Sequence, residues 1–225
     1  MPSGGIFSRR AATLTCAVAL FFSSLTFVHP SSAQELIDRI AARVENDIIL
    51  LSDVRHLGRY QMLVDGKSES EAQLLDRLID QWVVQNEADA SRFPRPTDAE
   101  IDQGVAALKK SFPSLQEYEE RRKQSGLSEA QVRDKIATQI HLTNYLDSRF
   151  RPSVQVDAKA IEDFYNTAVL PRAKARGQEP PSLEGSREVI QEALIEQSID
   201  AQAEQWLKES RSRIHVERLL NEEKE

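Results

Sequence analysis

The clearest alternation of hydrophobic and polar residues lies near the start of the chain, in residues 36–54. In its first half every second residue is apolar, and these residues are Ile40, Ala42 and Val44. This period of two predicts a strand with one buried face. The apolar, mostly β-branched run from Ile48 to Leu51 predicts a second strand that is covered on both faces. Asn46 and Asp47 tolerate positive φ and predict the turn of a β-hairpin.

A helix should follow the hairpin, with Ser52 as its cap and Asp53 near the positive end of its dipole. A two-stranded hairpin is marginally stable alone, so it needs a further strand or a helix against it. Residues 214–219, IHVERL, alternate again and predict a third strand. We expect this strand to pair with the hairpin, which would bring the two ends of a helical body into one sheet.

The residues between these ends have apolar positions three and four apart, which predicts helices. The strongest stripe lies in residues 70–90 and consists of Leu74, Leu75, Leu78, Ile79, Trp82 and Val83. We expect it to form the centre of the core. The alternative for Trp82 is a ligand platform, but its spacing favours packing inside. Thr97, Ser114 and Ser128 each precede a Glu or Gln by three positions, which predicts three capping boxes.

Two later helices are predicted to begin at Asp157 and Ser182, and Pro171 should end or kink the first of them. The fold class is therefore mostly α, an array of about six to seven helices with a small antiparallel β-sheet formed by the N-terminal hairpin and the C-terminal strand. We expect one domain over residues 34–220. It would comprise a helical core with the hairpin (34–151), then a linker, the long helix and the closing strand (152–220). Residues 221–225 form an acidic tail.

Residues 1–33 have the features of an export signal. Arg9 and Arg10 supply positive charge, residues 11–28 are apolar or small, and Ser31-Ser32-Ala33 fits a cleavage site. The alternative is an uncleaved membrane anchor, because the apolar stretch approaches the length of a span. The general secretory route fits better than the twin-arginine route. We therefore expect a periplasmic protein with no stable membrane span after cleavage.

The charge and the cysteine content of the chain exclude further classes of function. Loss of Arg9 and Arg10 with the signal changes the net charge from −7 to −9. An acidic chain without a basic stripe is unsuited to binding nucleic acid. The single cysteine, Cys16, lies in the predicted signal, so the exported form would have no disulfide, thiol nucleophile or thiolate metal site.

The two ends of the chain also resemble a known family. The segment IDRIAARVENDIILLSDV resembles the opening signature of the SurA family of periplasmic chaperones. The segment SREVIQEALIEQSIDAQAEQWLKESRSRIHVERL is similar to that family's closing helix and strand. The resemblance covers most of the chain from Gln34 onward. One departure is that the family usually has Gly in the hairpin turn, where this chain has Asp47.

The resemblance implies a chaperone scaffold without the parvulin domains that isomerise prolyl bonds in the family. Residues 156–184 are too few for an α/β domain and look mostly helical. His56, His141 and His215 are isolated in sequence, so structural roles are favoured over catalysis. No hydrolase, metalloprotease or nucleotide-binding motif occurs. We therefore expect no enzymatic activity, no cofactor and no metal.

The predicted function is an ATP-independent holdase that binds unfolded or extended client polypeptides, such as outer-membrane proteins. Exposed apolar patches bind partners, and the candidate peptide-binding residues are Met62, Leu63, Phe112 and Tyr118. For each of them, packing in the core is the alternative, because apolar residues at helical spacing usually face inward. Two other functions stay open. One is a non-catalytic assembly part, either a homo-oligomer such as a dimer or a subunit that grips one folded partner, and the other is a residual prolyl isomerase.

Overall fold

The computed structural model describes residues 38–220, so the predicted signal peptide and acidic tail lie outside the described residues. The elements in chain order are β1 (Ile40–Val44), β2 (Asp47–Leu50), α1 (Leu51–Asp65), α2 (Glu71–Ala90), α3 (Asp98–Lys110), α4 (Leu115–Gln124), α5 (Glu129–Phe150), α6 (Ala158–Phe164), α7 (Leu170–Ala175), α8 (Leu183–Arg211) and β3 (Val216–Arg218). A π-helical turn, Tyr165–Val169, joins α6 to α7 without a break. If α6, the π-helical turn and α7 are counted as one helix, residues 38–220 contain seven helices, which confirms the predicted fold class.

The sheet joins the two ends of this region. Its strand order is β2-β1-β3, and both pairs are antiparallel. Val44 pairs with Asp47 on one side and with Val216 on the other. Beyond the strand, the Leu219 N–H donates to the Ala41 carbonyl at 2.9 Å. The predicted pairing of the C-terminal strand with the hairpin is therefore confirmed, and β1 is its central strand.

The hairpin turn lies one residue earlier than predicted. Glu45 and Asn46 form the turn, Glu45 has a φ of +50°, and Asp47 belongs to β2. Tertiary contacts account for this shift. Glu45 exchanges hydrogen bonds with the backbone of His215, donating its N–H at 3.0 Å and accepting at its carboxylate at 2.6 Å. The Asp47 carboxylate accepts a hydrogen bond from the Trp82 indole at 2.9 Å, a contact that a glycine could not make.

The prediction that the second strand is covered on both faces is wrong. Ile48 is 54% exposed, whereas Ile49 is buried. The physical reason is that adjacent residues of a strand point to opposite faces of the sheet, and the helices cover only the face on which Ile49 lies. The predicted cap also differs, because α1 begins at Leu51 and not after Ser52. Asp53 acts as predicted at this helix start, and its carboxylate accepts the Leu50 N–H at 2.9 Å.

The other helix starts follow the predicted capping chemistry. The side-chain oxygens of Ser70, Thr97 and Ser128 each accept a hydrogen bond from the third helical residue, whose own side chain bonds back to the cap backbone. At Ser114 only half of this arrangement forms. The Ser114 hydroxyl accepts the Glu117 N–H at 3.1 Å, while the Glu117 carboxylate pairs with Arg121. Gly126, with a φ of +70°, ends the turn after α4.

Three buried clusters hold the region together. The first lies between the sheet, α1 and the N-terminal half of α2, with Leu75 and Ile79 at its centre and Trp82 packed against it. The second lies between α1, α3, α4 and α5. The third joins the C-terminal half of α2 to α5 and α8. Helix α2 links the sheet to the rest of the helices, because most of its predicted stripe lies in the first cluster while Val84 and Ala88 lie in the third.

Pro171 changes the hydrogen-bonding pattern of its helix without breaking it. Proline has no N–H and cannot donate to the residue four positions earlier. The chain meets this constraint with the π-helical turn, in which the Leu170 N–H donates to the Tyr165 carbonyl. Residues 156–184 therefore form a helical arm that packs on α8. The Tyr165 hydroxyl closes the following loop by donating to the Pro181 carbonyl at 2.7 Å.

Two neighbouring carboxylates on α2 anchor the C-terminal segment. Arg211 at the end of α8 donates to Asp76 at 2.7 Å and to Asp80 at 3.1 Å, and Arg218 of β3 also donates to Asp76. Burial opposes ionisation of Asp76, but the hydrogen bonds from Arg218 and Arg211 lower its pKa below the ordinary value. Burial dominates at Asp80 and raises its pKa. The two carboxylates should therefore contribute differently to stability.

We predict that Asp76→Asn lowers the free energy of unfolding by about 1 kcal/mol at pH 7. A carboxylate with a lowered folded-state pKa stabilises the fold above its unfolded pKa, and this contribution is lost as pH falls. The difference from wild type should therefore shrink below about pH 4. Asp80→Asn is the matched control and should cost less at pH 7. Urea titrations at pH 7 and pH 3 measure both, and equal, pH-independent losses would contradict the assignment.

Candidate functional site

The four candidate peptide-binding residues lie in two different environments. Leu63, Phe112 and Tyr118 are buried in the second cluster, whereas Met62 is 44% exposed. Phe112 and Tyr118 contact each other edge to face, with ring centroids 5.4 Å apart. The Tyr118 hydroxyl donates to Glu129 at 3.3 Å. Burial, together with the nearby Glu129 charge, raises the pKa of Tyr118 to about 12. In this conformation only Met62 is accessible to a polypeptide in solution.

Met62 lines an open groove of about 430 Å³ between α1, the segment leading into α2, and the C-terminal end of α4. The lining residues are Arg55, Gly58, Arg59, Met62, Ser68, Glu69, Glu71, Leu74, Gln124 and Ser125. The apolar part of the lining comes from Met62 and Leu74, and charged side chains from α1 and α2 form the rim. We call this feature the Met62 groove. Its volume is within the range of ligand pockets in proteins.

Gly58 allows the two walls of the Met62 groove to approach each other closely. A Cβ atom at this position would lie 2.8 Å from the Ser68 hydroxyl and 3.0 Å from the Leu74 Cδ1 atom. Both distances are at or below the limit of ordinary carbon contacts. A side chain on Gly58 would therefore force the Ser68 hydroxyl and the Leu74 methyl group to move, so the packing of these two side chains against α1 depends on this glycine.

Glu69 fixes the segment between α1 and α2. Its carboxylate accepts hydrogen bonds from Arg77, at 2.6 Å from one guanidinium nitrogen, and from the Gln61 amide at 2.9 Å. The Glu69 N–H donates in return to the Gln61 side chain at 3.0 Å. The hydrogen bonds from Arg77 and Gln61 lower the pKa of Glu69 to about 2. This wall of the groove is therefore held by an ionised carboxylate at any pH near neutrality.

The charges that line the Met62 groove balance, because Arg55 and Arg59 are matched by Glu69 and Glu71. Arg55 is paired with Glu71 at 3.2 Å, and Glu69 is paired with Arg77, which lies outside the lining. Among residues 38–220, Arg59 has no carboxylate within 4 Å. Because the chain as a whole is acidic, with a net charge of −7, this balance distinguishes the rim from the average surface.

A second cleft, of about 230 Å³, lies on the other side of α1, against α5. Its lining residues are Asp53, His56, Leu127, Gln131, Asp134, Lys135 and Thr138. We call it the Lys135 cleft. The His56 ring lies 3.3 Å from the Gln131 amide nitrogen. Burial lowers the pKa of Lys135, and the nearby Asp53 carboxylate offsets part of this shift.

In the sequence His56 has no recognisable partner, and no sequence motif includes Lys135. The two residues are 79 positions apart and belong to ordinary amphipathic helices, so only the packing of α1 on α5 brings them together. The other two described histidines lie elsewhere. His141 is buried beside the Phe93 ring, with centroids 5.8 Å apart, and its ring nitrogens have no hydrogen-bond partner among residues 38–220. His215 precedes β3 and contributes its backbone to the sheet connection.

Comparison with known proteins gives no assignment, because no protein-family model and no curated protein matches the chain. Over residues 38–220, each helix is too short or too polar to cross a bilayer. In the same region, His, Cys, Asp and Glu side chains do not come together in groups of three or more that could hold a metal ion.

We predict that Gly58→Ala destabilises the protein by roughly 1 kcal/mol, although alanine ordinarily stabilises a helix relative to glycine. The reason is the crowding of the new methyl group against Ser68 and Leu74. Removal of one crowded atom by Ser68→Ala should recover part of the loss. Urea denaturation of the two single variants and the double variant measures this coupling. Additive effects would show that residue 58 and Ser68 do not crowd each other.

Proposed function

We propose that the protein is an ATP-independent chaperone of the SurA type. In this proposal it holds extended, apolar segments of unfolded envelope or outer-membrane proteins in the periplasm and has no prolyl isomerase activity. The resemblance of residues 37–54 and 186–219 to the ends of that family supports the class. The signal-like residues 1–33 support export.

The proposal depends on one observation: the exposed Met62 side chain lies in an open groove, and hydrogen bonds of Glu69 fix a wall of that groove. Methionine is flexible and polarisable, so it can contact side chains of different shapes. The hydrogen bonds of Glu69 hold one wall of the groove in place without a ligand, and Gly58 lets that wall pack closely against α1. A preformed site loses less conformational entropy on binding than one that must first become ordered. The groove therefore suits clients of varied sequence.

An extended polypeptide fits this groove better than a compact small molecule. The groove is open, so a chain can enter and leave without a terminus being threaded. Its apolar lining is small, which suits one or two side chains at a time, and the remaining contacts would be made at the charged rim. A site that contacts only one or two side chains at a time binds its client weakly and reversibly. Client release would then follow from competition or from folding of the client, with no nucleotide hydrolysis.

We predict that Met62→Gln weakens suppression of client aggregation, so that about fivefold more protein is needed for half-maximal effect. This estimate corresponds to loss of about 1 kcal/mol of apolar burial on binding. The matched control is Val64→Gln. Val64 is 38% exposed on the same helix but does not line the groove. The assay follows light scattering of a denatured β-barrel protein without nucleotide.

Equal loss in both variants would contradict a site at Met62, because it would reflect general surface polarity. Failure of the wild-type protein with several unfolded clients would instead favour the assembly-subunit function. In that case the protein should bind one folded partner or a second copy of itself, which analytical ultracentrifugation of the free protein and pull-down of folded envelope proteins can detect.

We also expect no acceleration of prolyl isomerisation. Uncatalysed isomerisation takes tens to hundreds of seconds at 25 °C, so an enzyme is easily detected above this background. A proline-containing peptide with a chromophore, mixed with the purified protein, measures the rate. A rate that rises in proportion to protein concentration would overturn this part of the proposal, and Lys135→Met would then test whether the Lys135 cleft is responsible.

A further inference from the structure

The Lys135 cleft contains a cation without a partner. Lys135 lies half-buried on α5, and within residues 38–220 it makes no hydrogen bond and no ion pair shorter than 4 Å. Several arginines of the described region do have a carboxylate partner, among them Arg55, Arg77, Arg133 and Arg151. A half-buried ammonium group without a partner is unfavourable, because it has lost part of its hydration without compensation.

The two carboxylates of the cleft do not neutralise Lys135. The Asp53 carboxylate accepts the Leu50 N–H at the start of α1, where the helix dipole also stabilises it. Asp134 belongs to the exposed rim, where water screens its charge. His56 is directed to Gln131. The lowered pKa of Lys135 agrees with this arrangement, since attraction to Asp53 fails to offset the cost of burial.

The remaining lining suits a small acyl group. Leu127 is buried and supplies an apolar surface, and the Gln131 amide and Thr138 hydroxyl supply polar atoms. The Thr138 hydroxyl already donates to the Asp134 carbonyl at 3.0 Å, so it has no proton for a carboxylate, and its oxygen can accept only from an N–H next to that carboxylate. A volume of about 230 Å³ admits a group of the size of one amino-acid residue.

We propose that the Lys135 cleft is a binding site for a carboxylate, with the Lys135 ammonium as its ion-pair partner and Leu127 in contact with the adjacent apolar carbon atoms. The site is separate from the Met62 groove. On a helix with 3.6 residues per turn, Asp53 and His56 fall on the face of α1 opposite to Gly58 and Met62. Carboxylate binding therefore does not depend on the chaperone function proposed above.

Two sources could supply this carboxylate: a free small organic acid, or the C-terminal carboxylate of a polypeptide. The second source rests on the proposed chaperone function, because it requires that client chains bind to this protein. The chemistry of the contact is the same in both cases. The experiment below therefore has one arm for each source.

The first arm compares N-acetylleucine with N-acetylleucinamide, which differ only in the carboxylate. Backbone amide shifts of residues 127–138, followed by NMR during titration of the purified protein, give the affinity. We expect the acid to bind at least about tenfold more tightly than the amide, the effect of one charge-assisted hydrogen bond. The second arm compares a short unstructured peptide ending in leucine with its C-terminally amidated form.

Variants assign the contact to Lys135. Lys135→Met should weaken binding of the acid by about tenfold or more and leave the amide unchanged. Lys135→Arg keeps the charge and should keep the preference for the acid. Lys123→Met removes an exposed lysine outside the cleft and is the matched control. Because burial lowers the pKa of Lys135, binding of the acid should decline with rising pH at a lower pH than the ordinary lysine value of 10.5 would give.

Equal binding of acid and amide to the wild-type protein would overturn the proposal without any variant, so it stays testable even if Lys135→Met fails to fold. A preference for the acid that survives in folded Lys135→Met would also overturn it. If the acid is preferred in the first arm alone, the source is a small organic acid, and preference for the free peptide terminus points to a client chain. Loss of chaperone activity in Met62→Gln with acid binding intact would separate the two proposals.

Discussion

The pairing of β1 with strands from both ends of the described chain is the constraint on which the rest of the structure depends. A strand with neighbours on both sides has its backbone groups satisfied, so neither end of the helical body can leave the sheet without exposing them. Glu45 reinforces this closure through its hydrogen bonds to His215. The closure fixes where α1 starts and where α8 ends, and the other helices pack between these two positions.

Helix α1 receives its orientation directly from this sheet, since it begins at the residue after β2. Its two faces then pack against different segments of the chain. One face, with Gly58 and Met62, meets the segment that leads into α2 and forms the Met62 groove. The opposite face, with Asp53 and His56, meets α5 and forms the Lys135 cleft. Both candidate sites therefore depend on the same short helix, and each uses a different partner to complete its walls.

Much of this fold could be predicted from local sequence patterns, while most of the candidate sites could not. Met62 was identified from its position near a helix end, but so were Leu63, Phe112 and Tyr118, which are buried. Adjacent residues such as Met62 and Leu63 point in different directions on a helix, and the side that faces the core depends on where α3, α4 and α5 pack. No sequence pattern identified Lys135 as a candidate site residue, because the cleft in which it lies is formed by two segments that are far apart in sequence.

Local patterns in the sequence were enough to predict the helices, most of their caps, the hairpin and the closing strand, because capping, periodicity and strand alternation act between residues that are close along the chain. Tertiary packing was needed to fix the cap of α1, the position of the hairpin turn, the exposure of Ile48, the π-helical turn before Pro171 and the lining of both clefts. Each of these depends on contacts between segments far apart in sequence. The hydrogen bond from Trp82 to Asp47 is one such contact, since it spans 35 positions and follows from packing alone.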